Sequence, residues 1–94
     1  MIAIASELNK IKALVDAGDL VMAQTLLESV VEISPRNVDV LNMLGMIGLM
    51  RGDYHDAIQW LQQAVGANSG IASLQFNLGL AYARAGSPGE AAAC

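Results

Sequence analysis

Residues 44–64, LGMIGLMRGDYHDAIQWLQQA, decide how the chain folds. Leu44, Ile47 and Met50 share one side of a first helix, with Gly45 beside Leu44. The pair Gly52-Asp53 breaks that helix and starts another. Ala57, Leu61 and Ala64 then recur at spacings of four and three, one face of a second helix. Two short helices on a tight turn cannot bury their apolar faces alone, so they must stack on neighbours of the same kind.

Those neighbours are in the chain. An offset of 34 residues lays the sequence on itself. Gly18, Gly52 and Gly86 coincide, as do Ala23, Ala57 and Ala91. Leu44 falls on Leu78, Gly45 on Gly79, Leu27 on Leu61 and Val30 on Ala64. A fixed period of this length marks a helical repeat array.

The pattern resembles the tetratricopeptide repeat. The second copy carries the family signature in Leu44, Gly45, Gly52, Asp53, Tyr54, Ala57, Leu61 and Ala64, and the third in Leu78, Gly79, Tyr82, Gly86 and Ala91. The first copy fits through Leu14, Gly18, Asp19, Leu20, Ala23, Leu27, Val30 and Pro35, but Lys10-Ile11 stands where Leu-Gly is expected. The family's early Trp is replaced by Glu7, Leu41 and Gln75. The resemblance implies an all-α fold: a right-handed α-α superhelix, or solenoid, of antiparallel helix pairs. It makes residues 1–94 one repeat domain, with units near 4–37, 38–71 and an incomplete 72–94. Gly45 and Gly79 are expected where the helices of one unit cross, faced by the small Ala23, Ala57 and Ala91. Gly18, Gly52 and Gly86 are expected in the left-handed conformation that ends a helix.

Composition agrees. The 94 residues make at most one domain, and a chain of this size buries only about 60–65% of its unfolded surface. Hydrophobic residues make up 54% and aromatics 4%, which suits small, closely packed helices. A net charge of −4, with no basic patch, argues against nucleic acid. No stretch reaches the roughly 18–20 apolar residues that span a bilayer, so no membrane role is expected. The lone Cys94 excludes an internal disulfide, and the N-terminus lacks the charge order of a secretory signal. The cytoplasm is the expected location.

In chain order the helices are expected over 2–17, 20–33, 37–51, 54–65 and 71–85, with a two-glycine turn at 66–70. Ser34-Pro35 stops the second, because a residue before Pro is driven from helical angles. Arg51 and Arg84 sit in last turns, where a cation suits the helix dipole. Ser87-Pro88-Gly89-Glu90 reads as the start of a sixth helix. It stops at Cys94, short of the next large apolar residue, so a piece of a longer array is expected, with Leu78 and Tyr82 losing part of their cover.

The resemblance further implies that the first helix of each unit lines a concave groove for a peptide or partner helix. The groove residues would be Leu8, Asn9 and Lys12, then Asn42, Met43, Met46, Leu49 and Met50, then Ser73, Phe76, Asn77, Leu80 and Arg84. Met43, Met46 and Met50 form one stripe. Such side chains adapt to irregular partners, the competing reading being that they fill core gaps. Asn9 and Asn77 occupy equivalent places, and an amide there could bind a peptide backbone. A clamp for a terminal carboxylate is largely missing, since only Lys12 matches it. His55 has no second His or Cys near it in sequence, so no metal is expected, and Trp60 is read as packing on a neighbouring helix. No catalytic constellation or cofactor motif is present, so the chain is read as a protein-binding scaffold rather than an enzyme. The alternatives are self-association as a homodimer and a substrate-presenting arm of a larger glycosyl-, sulfo- or methyltransferase.

Overall fold

The computed structural model describes residues 4–86, in five helices: α1 (Ile4–Asp16), α2 (Leu20–Ile33), α3 (Val38–Arg51), α4 (Tyr54–Ala67) and α5 (Ala72–Arg84). Each helix leaves its first N–H groups without partners. Asp19 Oδ1 accepts from the Met22 amide at 3.3 Å, and Asn37 Oδ1 from the Val40 amide at 3.2 Å, which fixes where α2 and α3 begin. α3 ends at Gly52, whose φ of +79° lets the Asp53 amide turn back to the Gly48 carbonyl at 2.8 Å. Gly18 closes α1 in the same way, with the Asp19 amide on the Leu14 carbonyl at 2.9 Å.

The helices form an all-α repeat solenoid, 42 × 26 × 18 Å. α1 pairs with α2 and α3 with α4; α3 also packs on α2 and α5, and α5 on α4. The core has three contiguous parts. Leu8, Ile11, Ala23, Leu27, Val30, Val40, Leu44 and Ile47 join α1, α2 and α3. Leu41, Ala64 and Leu74 join α3, α4 and α5, with half-buried Trp60 and Val31 against them. Leu49, Ala57, Leu61, Leu78 and Ala81 complete the α3–α4–α5 layer. No polar or charged residue is buried among the described residues. Stability here comes from apolar burial, roughly 1.5–3 kcal/mol for each fully covered Leu, Ile or Val.

Four expectations are corrected. α4 runs through Gly66 to Ala67, because Gly66 is not in a left-handed conformation and its carbonyl accepts from Arg36 Nη2 at 3.4 Å; the turn is shorter, at 68–70. Asn37 and Ile71 are caps rather than helical residues. The partner of Gly45 is Leu61, not Ala57: a Cβ on Gly45 would lie 2.5 Å from Leu61 Cγ. Ala57 faces Gly48, where a Cβ would meet Ala57 Cβ at 3.0 Å. The crossing of α3 and α4 therefore rests on two glycines one turn apart. The expected sixth helix from Ser87, Ala91 within it, and the start of the first helix at Ile2 lie outside the described residues.

Candidate functional site

α3 is enclosed by α2, α4 and α5 on most of its circumference. One stripe remains: Asp39, Asn42, Met43, Met46 and Met50, which fall within a quarter-turn or so of one another at 100° per residue. Facing it is α1. Between them lies a cleft of about 170 Å³ lined by Lys12, Val15, Asp16, Met43, Met46, Ile47 and Met50. A second hollow of about 290 Å³, lined by Leu8, Lys12, Asp39, Asn42, Met43 and Met46, shares three of those residues and continues the groove. A cavity near 150 Å³ accommodates about one benzene-sized group. The first cleft therefore has room for about one apolar side chain.

Met46 is 42% exposed and Met50 50%, while Met43 is half-buried against the α1–α2–α3 core. The mouth carries one cation, Lys12, and two acids, Asp16 and Asp39; none of the three forms an ion pair among the described residues.

The other groove candidates are spread more widely. Leu8 lines the second hollow but is only 8% exposed, and Leu49 is equally covered, so neither is the open groove residue that was expected. Leu49 turns toward α5 and packs with Leu78 and Ala81, since α5 covers that flank of α3. Leu80 is half-buried against the same layer. Ser73, Phe76 and Arg84 are exposed on α5, away from the cleft. Asn9 is exposed and also outside it. Asn77 donates from Nδ2 to Asn42 Oδ1 at 3.1 Å, and Asn42 Nδ2 points to Met46 Sδ at 3.8 Å. The amides of α5 and α3 thus bind each other.

Sequence reasoning missed Val15, Asp16, Asp39 and Ile47. The 34-residue offset held the signal for three of them: Val15 is the equivalent of Leu49, Asp16 of Met50 and Asp39 of Ser73. His55 is exposed, Trp60 is packed, and the described residues contain no group of three possible metal ligands. No described helix is long and apolar enough to cross a membrane.

Comparison with known proteins places this geometry in context. The family model described as tetratricopeptide repeat matches residues 8–71 and 61–93. The globular C-terminal domain of P. aeruginosa LpoP is similar to the chain, with a TM-score of 0.87 and 26% identity over 98% of this chain and 92% of that one. MamA is similar with a TM-score of 0.88 and 26% identity, over 95% of this chain and 52% of that one, so the chain spans about half of MamA. No curated protein sequence matches the chain.

Proposed function

The chain belongs to the tetratricopeptide repeat family, and from that premise we propose that it is a protein-interaction module whose α1–α3 cleft receives apolar side chains of a partner's peptide or helix. Repeat solenoids present extended concave surfaces for binding. The observation that carries the reading is the methionine-lined cleft, with Met46 and Met50 half-exposed on its rim. Unbranched thioether side chains repack around differently shaped partners. One apolar side chain buried there contributes roughly 1.5–3 kcal/mol, which is about ten- to a hundredfold in affinity. Lys12, Asp16 and Asp39 leave the mouth with one more acid than base, which would disfavour acidic partners.

The test uses peptides selected from a display library against the native protein. Met46→Glu places a charge on the cleft rim and should weaken the selected peptides by about tenfold or more. Phe76→Glu, at an exposed site on α5 outside the cleft, should leave them in place. Unchanged affinity in a folded Met46→Glu protein, shown by an unaltered far-ultraviolet dichroism spectrum, overturns the reading.

Self-association is a second reading, favoured by Phe76, which is 71% exposed. Light scattering over a wide concentration range separates the two. A dimer that persists on dilution and is lost in Phe76→Glu supports this alternative; a monomer throughout leaves the cleft free for other partners.

A further inference from the structure

The methionines differ in what surrounds their sulfur atoms. Met46, 42% exposed, has its Sδ 3.8 Å from the Asn42 amide nitrogen. Met50 and Met22 are exposed to a similar degree, at 50% and 48%, but neither has such a donor among the described residues. Met43 is half-buried. Asn42 is itself held from the far side by Asn77 of α5, at 3.1 Å. A relay of amide, amide and sulfur therefore runs from α5 across α3 to the mouth of the cleft.

We propose that Met46 is a reversible oxidation site whose sulfoxide, held by Asn42, turns the mouth of the α1–α3 cleft polar. The oxidant is hydrogen peroxide. A sulfur lone pair attacks one peroxide oxygen, the O–O bond breaks as the S–O bond forms, and the departing hydroxide takes up the remaining proton as water. Sulfur loses two electrons and the peroxide gains them. Reduction runs through two thiols, which form a disulfide as the oxygen leaves as water, the chemistry of methionine sulfoxide reductases. A thioether is a weak acceptor, whereas a sulfoxide oxygen carries partial negative charge. Added to a sulfur 3.8 Å from Asn42 Nδ2, that oxygen can enter the ordinary N–H···O range of about 2.7–3.2 Å. Asn42 is already oriented by Asn77, so the new acceptor meets a donor fixed in place. Oxidation converts a flexible apolar side chain into a polar one, on the rim where an incoming apolar group must pass. The loss of apolar binding rests on the function proposed above; the oxidation and its effect on Asn42 do not.

The experiment titrates the folded protein with hydrogen peroxide. Each methionine is followed by peptide mass mapping, and the side-chain amides by nitrogen–proton correlation spectra. Met46 is expected to gain one oxygen several-fold faster than Met43. The Asn42 and Asn77 side-chain signals should shift while those of Asn9 hold. A methionine sulfoxide reductase with dithiothreitol should reverse both changes. Met46→Leu should abolish the Asn42 shift at the same dose, and Met50→Leu should retain it. Oxidation of Met46 no faster than Met43, an unmoved Asn42 signal after Met46 has oxidised, or global unfolding on oxidation overturns the proposal. Display-selected peptides, measured on the same samples, separate the two layers. A peptide bound equally by reduced and oxidised protein overturns the polar switch. Clean oxidation with no peptide bound in either state overturns the proposed function and leaves the modification site standing.

Discussion

Gly45→Ala is the substitution on which the account of the fold depends most directly. Its Cβ would lie 2.5 Å from Leu61 Cγ, 2.7 Å from Cδ2 and 3.2 Å from Cδ1. Ordinary carbon contacts lie at about 3.5–4.0 Å, so the overlap at Cγ is on the order of 1 Å. Cγ is the branch point of Leu61 rather than its tip, so rotation about Cβ–Cγ leaves it in place, and a swing about Cα–Cβ would have to find room in a core where Leu61 is fully buried. Overpacking of this kind costs about 1–3 kcal/mol. Alanine returns roughly 0.8–1.0 kcal/mol of helix propensity over glycine. With so deep an overlap the net effect is a loss of about 1–2 kcal/mol. In a domain of this size that lowers Tm by about 4–16 °C.

Thermal unfolding followed by circular dichroism measures the loss, and a double-mutant cycle assigns it. Leu61→Ala alone should cost about 2–5 kcal/mol through the cavity it leaves. In the Leu61→Ala background the Gly45→Ala penalty should vanish or reverse, with a coupling of about 0.5–3 kcal/mol. Gly66→Ala is the internal control. A Cβ there meets nothing within 4 Å, so the same change should stabilise by up to about 1 kcal/mol. A neutral or stabilising Gly45→Ala, or a penalty that persists unchanged without Leu61, refutes the close crossing of α3 and α4.

Gly52→Ala must hold a φ of +79° with a side chain, and should lose about 1–2 kcal/mol in urea unfolding although its Cβ would meet open space. Asp19→Ala removes the cap on the Met22 amide and should cost about 0.5–2 kcal/mol. Asp53→Ala, at the equivalent place on α4, has no such bond to lose and only an exposed contact with Arg51 at 3.9 Å, so it should cost less in the same assay. Leu41→Ala empties a site 1% exposed between α3, α4 and α5, and should cost about 2–5 kcal/mol, read by chemical denaturation.

What the sequence made legible was local or periodic. The ends of α2 follow from Asp19 before it and Ser34-Pro35 after it, and both are where the residues place them. The left-handed glycines 18, 52 and 86 follow from the repeat. What was not legible depends on how helices meet. Helical spacing puts Gly45 and Gly48 on one face but cannot say that Leu61 meets the first and Ala57 the second. Gly66 reads as a breaker, yet α4 continues through it and its carbonyl is met by Arg36 from 30 residues away. The Asn42–Asn77 bond spans 35 residues, one more than the repeat, and so joins two different register positions. A comparison of each residue with its own equivalent cannot reveal such a pair.

The place of the cleft follows from a difference between two successive interfaces. The backbones of α3 and α5 approach one another more closely than those of α1 and α3 do. Val15 and Leu49 are equivalent, and so are Ile47 and Ala81. Across α3–α5, Leu49 packs in one layer with the small Ala81, and the helices close far enough for Asn77 to reach Asn42 at 3.1 Å. Across α1–α3, Val15 stands opposite the larger Ile47, and the gap remains, with Met43, Met46 and Lys12 around it. Residue size at one register position thus sets which interface closes and which stays open. Ala81→Ile should transfer the open geometry to α3–α5. Ala81 is fully buried, so the added carbons must part the helices, at about 1–3 kcal/mol. The Asn42 and Asn77 side-chain amide signals should then collapse toward those of exposed Asn9. A variant that keeps those signals and loses less than about 0.5 kcal/mol would show that Ala81 does not govern the spacing, and that the cleft owes its width to something other than Ile47.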